Sequence, residues 1–243
     1  MSGHSKWAQI KHKKGIADAK KGKVFSQHAK LIAMAARHGS DPDMNASLRL
    51  AIDNAKKDNL PNDNIQRAIK KGSGEDKSVI IEEVTYEAYG PGGVALMIEC
   101  LTDNKNRTHS NIHTLLDKKG GNLASGGSVA WMFEKKGVIE GGKTKSDDEL
   151  EMMAIEAGAD DIKIEEDFVI VYTKVENFMN VKSALEKQGF QVDKASLKQV
   201  PKDLMKIGSK ETADKLINLI DALDDDDDVS EVYGNFEIPD ELL

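Results

Sequence analysis

The stretch EVTYEAYGPGGVALMIECL, residues 83–101, marks the point where the pattern of the chain changes. In its first half Val84, Tyr86 and Ala88 alternate with polar residues, as expected of a half-buried β-strand. The GPGG sequence at 90–93 is a turn signal, and the unbroken apolar run that follows is typical of a central strand. This strand–turn–strand unit predicts an antiparallel sheet.

C-terminal to this unit, helical and strand patterns alternate. A helix follows the polar loop at 102–108, and Ser146 with Glu149 forms a capping-box pair at the start of another. Helices alternating with pairs of strands predict an α+β fold, with the helices on one side of each sheet. The predicted strands lie in IKIEEDFVIVYT (162–173), FQVDKASLKQV (190–200) and VSEVYGNFEI (229–238), and the predicted helices cover 175–188 and 213–223.

N-terminal to the unit, the apolar residues follow a helical period. Three amphipathic helices are predicted, at about 16–37, 41–57 and 60–72, preceded by a basic arm at 3–14. For the second helix we expect Asp41 as N-cap and Pro42 at the first helical position. The predicted apolar faces are Phe25, Ala29, Ile32 and Ala36, then Met44, Leu48, Ala51, Ile52 and Ala55, then Ile65, Ala68 and Ile69.

Charge is divided unevenly along the chain, whose formal net charge is -8. Residues 1–77 hold 16 Lys and Arg against 8 Asp and Glu, whereas the remainder holds 18 against 34. Such asymmetry indicates nucleic-acid binding by one part of a chain, because cationic side chains on phosphates release condensed counterions. The predicted contacts in this part are Lys6, Trp7, Lys11, His12, Lys13, Lys14, Lys20, Lys21, Lys23, Lys30 and Arg37.

Two interpretations of this basic segment remain open. Trp7 can stack on an unpaired base, or it can anchor the arm to the helical bundle. The lysines can be an ordinary solvated helix face, although residues 1–30 hold eight Lys and one Asp, so that acidic partners four residues away are largely missing. His28, like His4 and His12, is expected to donate hydrogen bonds to phosphate.

The loop TDNKNRT at 102–108 also has two interpretations. Lys105, Arg107 and the asparagines are residue types that contact phosphates and base edges. Equally, Asp103 and Asn104 can cap a turn by bonding to the local backbone.

Several sequence patterns resemble catalytic or metal sites without their context. GVIEGGKT at 137–144 matches the phosphate-loop pattern, but Val138 and Ile139 are predicted strand interior and the next helix begins only near Ser146. A glycine-rich hairpin turn is expected there instead. His109 and His113 have the spacing of zinc ligands but no acidic or thiol partner, so exposed histidines are expected. The DDDDD run at 224–228 is expected to be a solvated loop.

The sequence gives no indication of a membrane or secreted protein. No apolar run reaches the roughly 18–20 residues of a membrane span, and no secretory signal is recognised at the N-terminus. The single cysteine, Cys100, lies in an apolar run and is expected to be a buried thiol in a reducing cytoplasm. We therefore expect a cytoplasmic protein with no membrane partner and no small-molecule substrate.

Several long blocks resemble the signature sequences of the YebC/PmpR family. They are GHSKWAQIKHKKGIADAKKGKVF (3–25), NLPNDNIQRAIKKGSG (59–74), YGPGGVA (89–95), LTDNKNRT (101–108) and GGNLASGGSVAWMF (120–133). That family includes bacterial proteins described as transcriptional regulators and the mitochondrial translational activator of cytochrome c oxidase. The resemblance implies a helical domain at 1–78 and two α+β, ferredoxin-like domains. The middle one would be discontinuous, at 79–134 and 205–243, with the other inserted at 135–204.

The resemblance also implies a protein without enzymatic activity, cofactor or metal. We expect a nucleic-acid-binding regulator of gene expression that binds DNA in transcription, with its acidic domains contacting transcription machinery or the ribosome. The alternative is a translation factor associated with ribosomal RNA. Two other classes stay open: a nucleotide-binding enzyme using residues 137–144, and a protein-interaction scaffold without salt-sensitive nucleic-acid binding.

Overall fold

The computed structural model describes residues 18–74 and 81–242. Its first part is a bundle of three helices, α1 (Asp18–Ala36), α2 (Ala46–Lys57) and α3 (Asn62–Gly72). Ile32, Leu48 and Ile65 are at most 1% exposed and lie at the centre of its core. The predicted three-helix domain is therefore confirmed, whereas the predicted arm at 3–14 lies outside the described residues.

The start of α2 differs from the prediction. Asn45, and not Asp41, is the N-cap, and its Oδ1 accepts a hydrogen bond of 3.0 Å from the backbone N–H of Leu48. The Asn45 Nδ2 also donates to the carbonyl oxygens of Ala35 and Gly39, at 2.8 Å each. An amide suits this position because its oxygen accepts from a backbone N–H at the start of α2, while its nitrogen donates to carbonyl oxygens at the end of α1 and just after it.

The middle sheet is built from segments far apart in the chain. Strands β1 (Glu82–Tyr89) and β2 (Ala95–Thr102) form the predicted hairpin, followed by α4 (Lys105–Lys118) and the short β3 (Asn122–Leu123). Residues 133–201 contain a second sheet, and the chain then returns to the middle domain as β8 (Met205–Lys206), α7 (Lys210–Asp224), β9 (Val229–Gly234) and β10 (Phe236–Glu237). The antiparallel strand order is β3-β1-β2-β9, and β8 pairs with β10 in parallel.

The second sheet lies between these two segments. Its elements are β4 (Phe133–Gly142), α5 (Asp147–Ala157), β5 (Asp161–Ile164), β6 (Phe168–Thr173), α6 (Phe178–Lys187) and β7 (Val192–Pro201). The order β5-β6-β4-β7 with β-α-β-β-α-β connectivity is ferredoxin-like. Helices α5 and α6 cover one face, where Ile139, Val171 and Leu185 are buried.

These sheets confirm the predicted α+β fold with a discontinuous middle domain. Leu96 of β2 pairs with Gly234 of β9, and the complete second sheet lies between them in sequence. The predicted domain bounds at 78, 134 and 204 stay a prediction. Within the described parts of the chain, no helix is long and apolar enough to cross a membrane.

The GVIEGGKT segment is not a phosphate loop. Residues 137–142 continue as strand β4, paired with β6, and Ser146 caps α5 through a capping box with Glu149. The expected hairpin turn is also wrong, because the glycines lie within the strand. A Cβ on Gly141 would come within 2.1 Å of the Gln191 carbonyl oxygen, so this glycine serves a close backbone approach.

Candidate nucleic-acid interface

The structure describes only part of the predicted basic segment. Lys21 and Arg37 are exposed on α1 and at its end. Predicted contacts that lie outside the described residues are Lys6, Trp7, Lys11, His12, Lys13 and Lys14, together with the side chain of Lys20.

The remaining two lysines of α1 face the middle sheet. Lys23 Nζ donates to the carbonyl oxygen of Asp224. Lys30 Nζ donates to the carbonyl oxygens of Leu101 at 2.8 Å and Asp227 at 3.0 Å, and contacts Asp228 Oδ1 at 3.1 Å. The helical period correctly separates these lysines from the apolar face, but Lys23 contacts the first residue of the acidic run and Lys30 contacts its last two.

Asp228 is the centre of this junction and is 6% exposed. Besides Lys30, its carboxylate accepts hydrogen bonds from Arg107 Nη2 at 2.8 Å and Thr108 Oγ1 at 2.9 Å. Burial opposes ionisation, but the hydrogen bonds from Arg107, Lys30 and Thr108 outweigh it and hold the pKa of this carboxyl below its usual range. The expectation of a solvated acidic loop is therefore wrong at Asp228, although Asp225 and Asp227 are exposed.

The TDNKNRT loop is a capped helix start. Asn104 Oδ1 accepts a hydrogen bond from the backbone N–H of Arg107 at 3.1 Å. Arg107 Nη2 bridges Asp103 and Asp228, at 2.8 Å each, and Lys105 pairs with Glu82 at 2.8 Å. The capping interpretation is confirmed for Asn104, whereas the Asp103 carboxylate pairs with the Arg107 side chain. Arg107 Nε and Nη1 have no hydrogen bond in the described part of the chain.

A groove opens between α1, α3 and this loop. It has a volume of about 480 Å³ and includes Lys30, Arg67, Lys71 and Arg107 in its walls. Two carboxylates, Asp103 and Asp228, also line it, so cationic groups outnumber anionic ones. Its lining also includes four apolar residues, Phe25, Ala29, Ala68 and Ile81.

Arg67 and Lys71 are absent from the predicted contacts. They are four residues apart on α3 and therefore share one face, which is a signal that the sequence contains. Arg67 is exposed, and its guanidinium is oriented by Asn64 Oδ1 and the Asp63 carbonyl oxygen. No carboxylate pairs with Lys71 among the described residues.

The histidines differ in their roles. His28 is buried, and its Nε2 lies 2.6 Å from Asp58 Oδ2, so the expectation that it donates to phosphate is wrong. His109 and His113 are exposed on α4, as predicted, and His113 Nδ1 pairs with Asp117 at 3.0 Å. The described residues contain no group of three or more side chains placed to hold a metal ion.

Known protein families match both the helical bundle and the two sheet domains of this chain. Residues 5–75 match the model of the TACO1/YebC protein N-terminal domain, and residues 81–236 match the TACO1/YebC second and third domain. Proteins named "Probable transcriptional regulatory protein" from Halothermothrix orenii and Dictyoglomus turgidum are each 50% identical, over 100% of this chain and 98% of theirs. The crystal structure of the conserved hypothetical protein Aq1575 from Aquifex aeolicus, 47% identical, superposes with a TM-score of 0.88. That match covers 93% of this chain and 94% of the other.

Proposed function

The chain belongs to the TACO1/YebC family, and from this premise we propose that it is a nucleic-acid-binding regulator of gene expression that works without catalysis. Relatives that are 50% identical carry the name "Probable transcriptional regulatory protein", which favours DNA as the target. The alternative target is ribosomal RNA, in a translation factor. Both are polyanions, so the same surface chemistry serves either.

The groove between α1, α3 and α4 is the observation that carries this proposal. Arg107 is held by Asp103 and Asp228 through a single nitrogen, so its other N–H groups stay available to phosphate oxygens. Arg67 and Lys71 face the same space from α3. Side chains fixed in advance lose little conformational entropy on binding, so this wall is well suited to a phosphodiester backbone.

The contacts of Lys23 and Lys30 with residues 224–228 support a positioning role for these two lysines. Lys23 and Lys30 connect α1 to the end of α7 and to Asp228. Because these contacts join the helical bundle to the middle sheet, they fix Arg67 and Lys71 relative to Arg107. We assign the direct phosphate contacts to Arg67, Lys71 and Arg107, and we propose Lys21 and the basic N-terminal segment as further contacts.

Salt dependence of binding tests the proposal. Arg67→Gln with Lys71→Gln should weaken binding to a duplex and reduce the slope of log K against log salt by about 0.9 for each phosphate that is no longer neutralised. The matched control, Lys174→Gln with Lys187→Gln, removes the same charge from exposed positions after β6 and at the end of α6, and should keep the wild-type slope. A scaffold would show no salt-sensitive binding in any variant.

Crosslinking in cells followed by sequencing of the attached nucleic acid separates the two targets. Recovery of promoter DNA supports a transcriptional role. Recovery of ribosomal RNA alone would replace it with the translational one.

A further inference from the structure

A second basic depression lies at the far end of α4 from the groove. It has a volume of about 650 Å³, and its lining includes Lys118, Lys119 and Lys215 with Thr212 and Asn218. No carboxylate lines it among the residues that the structure describes. Lys215 pairs with Glu211 at 2.7 Å, but both side chains are more than half exposed, so this pair holds the lysine only weakly.

Helix α4 connects the groove to this depression. Arg107, in its first turn, lines the groove, and Lys118, in its last turn, lines the depression. Eleven residues of α-helix separate the two side chains, which corresponds to about 16 Å along the axis. Helix α7 packs beside α4 and supplies Thr212 and Lys215 near its start, while its last residue, Asp224, accepts from Lys23.

The exposed surface of α4 between these ends is polar and nearly free of acid. Asp117 is the one carboxylate of the helix, and His113 pairs with it at 3.0 Å. The other exposed side chains of this stretch are amides, hydroxyls and an imidazole: Asn106, His109, Ser110, Asn111 and Thr114. Side chains of these types commonly contact the phosphates and sugars of nucleic acids.

This composition is unusual for its surroundings. Residues 78–243 hold 34 acidic against 18 basic side chains, and α5 begins with Asp147, Asp148 and Glu149. The α4 surface and its two basic ends therefore complement the charge of a polyanion, whereas the net acidic remainder of the two sheet domains would repel it.

We infer that the exposed face of α4 is a second nucleic-acid contact surface, which carries the phosphodiester backbone from the groove to the depression around Lys118, Lys119 and Lys215. The inference rests on the proposed function, since the occupant is the same nucleic acid. It extends the interface from the helical bundle across the middle sheet, and it assigns the histidines and asparagines of α4 a role as polar contacts to the sugar-phosphate backbone.

The test uses the full chain with Lys118→Gln and Lys119→Gln together. Binding to a labelled DNA duplex and to an RNA hairpin of similar length is measured across a range of salt concentrations. For duplex DNA, the slope of log K against log salt should fall by about 0.9 for each phosphate that the variant no longer neutralises, and for single-stranded segments by about 0.7. The control is again Lys174→Gln with Lys187→Gln, which should leave the slope unchanged.

The outcomes separate the inference from the proposed function. If the wild type binds with a steep salt dependence and Lys118→Gln with Lys119→Gln keeps that slope, the α4 surface does not touch the nucleic acid and the inference is overturned. If the wild type shows no salt-dependent binding to either nucleic acid, both the proposed function and the inference fail. A reduced slope only with DNA, or only with RNA, supports the surface and identifies the polyanion that it fits.

Discussion

Lys30 Nζ lies 3.1 Å from Asp228 Oδ1, across the junction between the helical bundle and the middle sheet. The two side chains are 198 positions apart in sequence and 19% and 8% exposed. Arg107 and Thr108 donate to this carboxylate from α4, and Thr102 Oγ1 donates from β2 at 3.4 Å. One aspartate thus joins α1, α4 and the loop before β9, which makes the relative position of the two groove walls depend on it.

Replacing Asp228 with Asn should lower the free energy of unfolding by about 3 kcal/mol, as expected when one member of a buried ion pair is removed. The variant leaves Lys30 and Arg107 without their shared anion. Urea unfolding followed by circular dichroism measures the change. Asp227→Asn is the matched control, since the side chain of Asp227 is exposed and only its carbonyl oxygen accepts from Lys30. We expect the control to change the stability by less than about 0.5 kcal/mol. Equal losses of stability in both variants would contradict the role of Asp228.

The contribution of Asp228 should depend on pH in a defined direction. Its pKa is lowered in the folded protein, because hydrogen bonds from Arg107, Lys30 and Thr108 outweigh the opposing effect of burial. A lowered folded pKa gives stability that is present above the unfolded value, about 3.9, and lost as pH falls through the folded value. The stability difference between wild type and Asp228→Asn should therefore be constant from about pH 5 to about pH 8 and shrink below about pH 4. Urea titrations at a series of pH values measure this, and an undiminished difference at the acid end would argue against it.

Much of this junction is not visible in the sequence. The helical period predicts the apolar faces of α1, α2 and α3 except at Met44, which lies before the Asn45 cap and is 87% exposed. The 83–101 stretch predicts the β1–β2 hairpin, because both predictions depend on local spacing. The DDDDD run offers five identical side chains, and only the paired β2 and β9 strands decide that Asp228 is the one facing Lys30. Periodicity places Lys30 away from Phe25, but it carries no information about which distant segment packs there.

Asn45 caps α2 and also bridges to the carbonyl oxygens of Ala35 and Gly39. Two substitutions separate the cap from the bridge. Asn45→Ala removes the acceptor for the Leu48 N–H and both donors to Ala35 and Gly39. Asn45→Ser restores an oxygen acceptor but not the donors, so it should recover about 1 kcal/mol of the loss. Thermal unfolding should rank wild type above Asn45→Ser and Asn45→Ala last. If Ser and Ala are equally destabilising, the cap contributes nothing and the bridge accounts for the whole effect.

Glu87 holds the loop that presents Trp131. Its carboxylate accepts from the backbone N–H groups of Gly127 and Val129 at 2.6 Å and Ala130 at 2.9 Å. Burial raises the pKa of this carboxyl, but these backbone N–H groups outweigh it and bring the pKa below its ordinary value. Glu87→Gln removes the charge and replaces one acceptor oxygen with a donor.

In Glu87→Gln, amide hydrogen exchange at residues 127–130 should accelerate about tenfold, equivalent to about 1.4 kcal/mol of local stability. The amides that pair β1 with β2 serve as the internal control, because the hairpin register does not involve this side chain. Unchanged exchange in the loop would show that neighbouring contacts, rather than Glu87, order it. Acceleration in both regions would instead indicate general destabilisation of the sheet.

The glycines of β4 give a final test that also addresses the phosphate-loop pattern. A Cβ on Gly141 would meet the Gln191 carbonyl oxygen at 2.1 Å, whereas a Cβ on Gly142 would meet no atom of the described residues within 4 Å. Gly141→Ala should destabilise the protein by about 1–3 kcal/mol through overpacking, and Gly142→Ala should be close to neutral. Calorimetry of the wild type with a nucleoside triphosphate and Mg²⁺ should show no binding heat, because β4 runs on through Gly142 and the first turn of α5 carries Asp147, Asp148 and Glu149. A Mg²⁺-dependent signal that Gly142→Ala abolishes while the fold stays intact would restore the nucleotide-binding hypothesis.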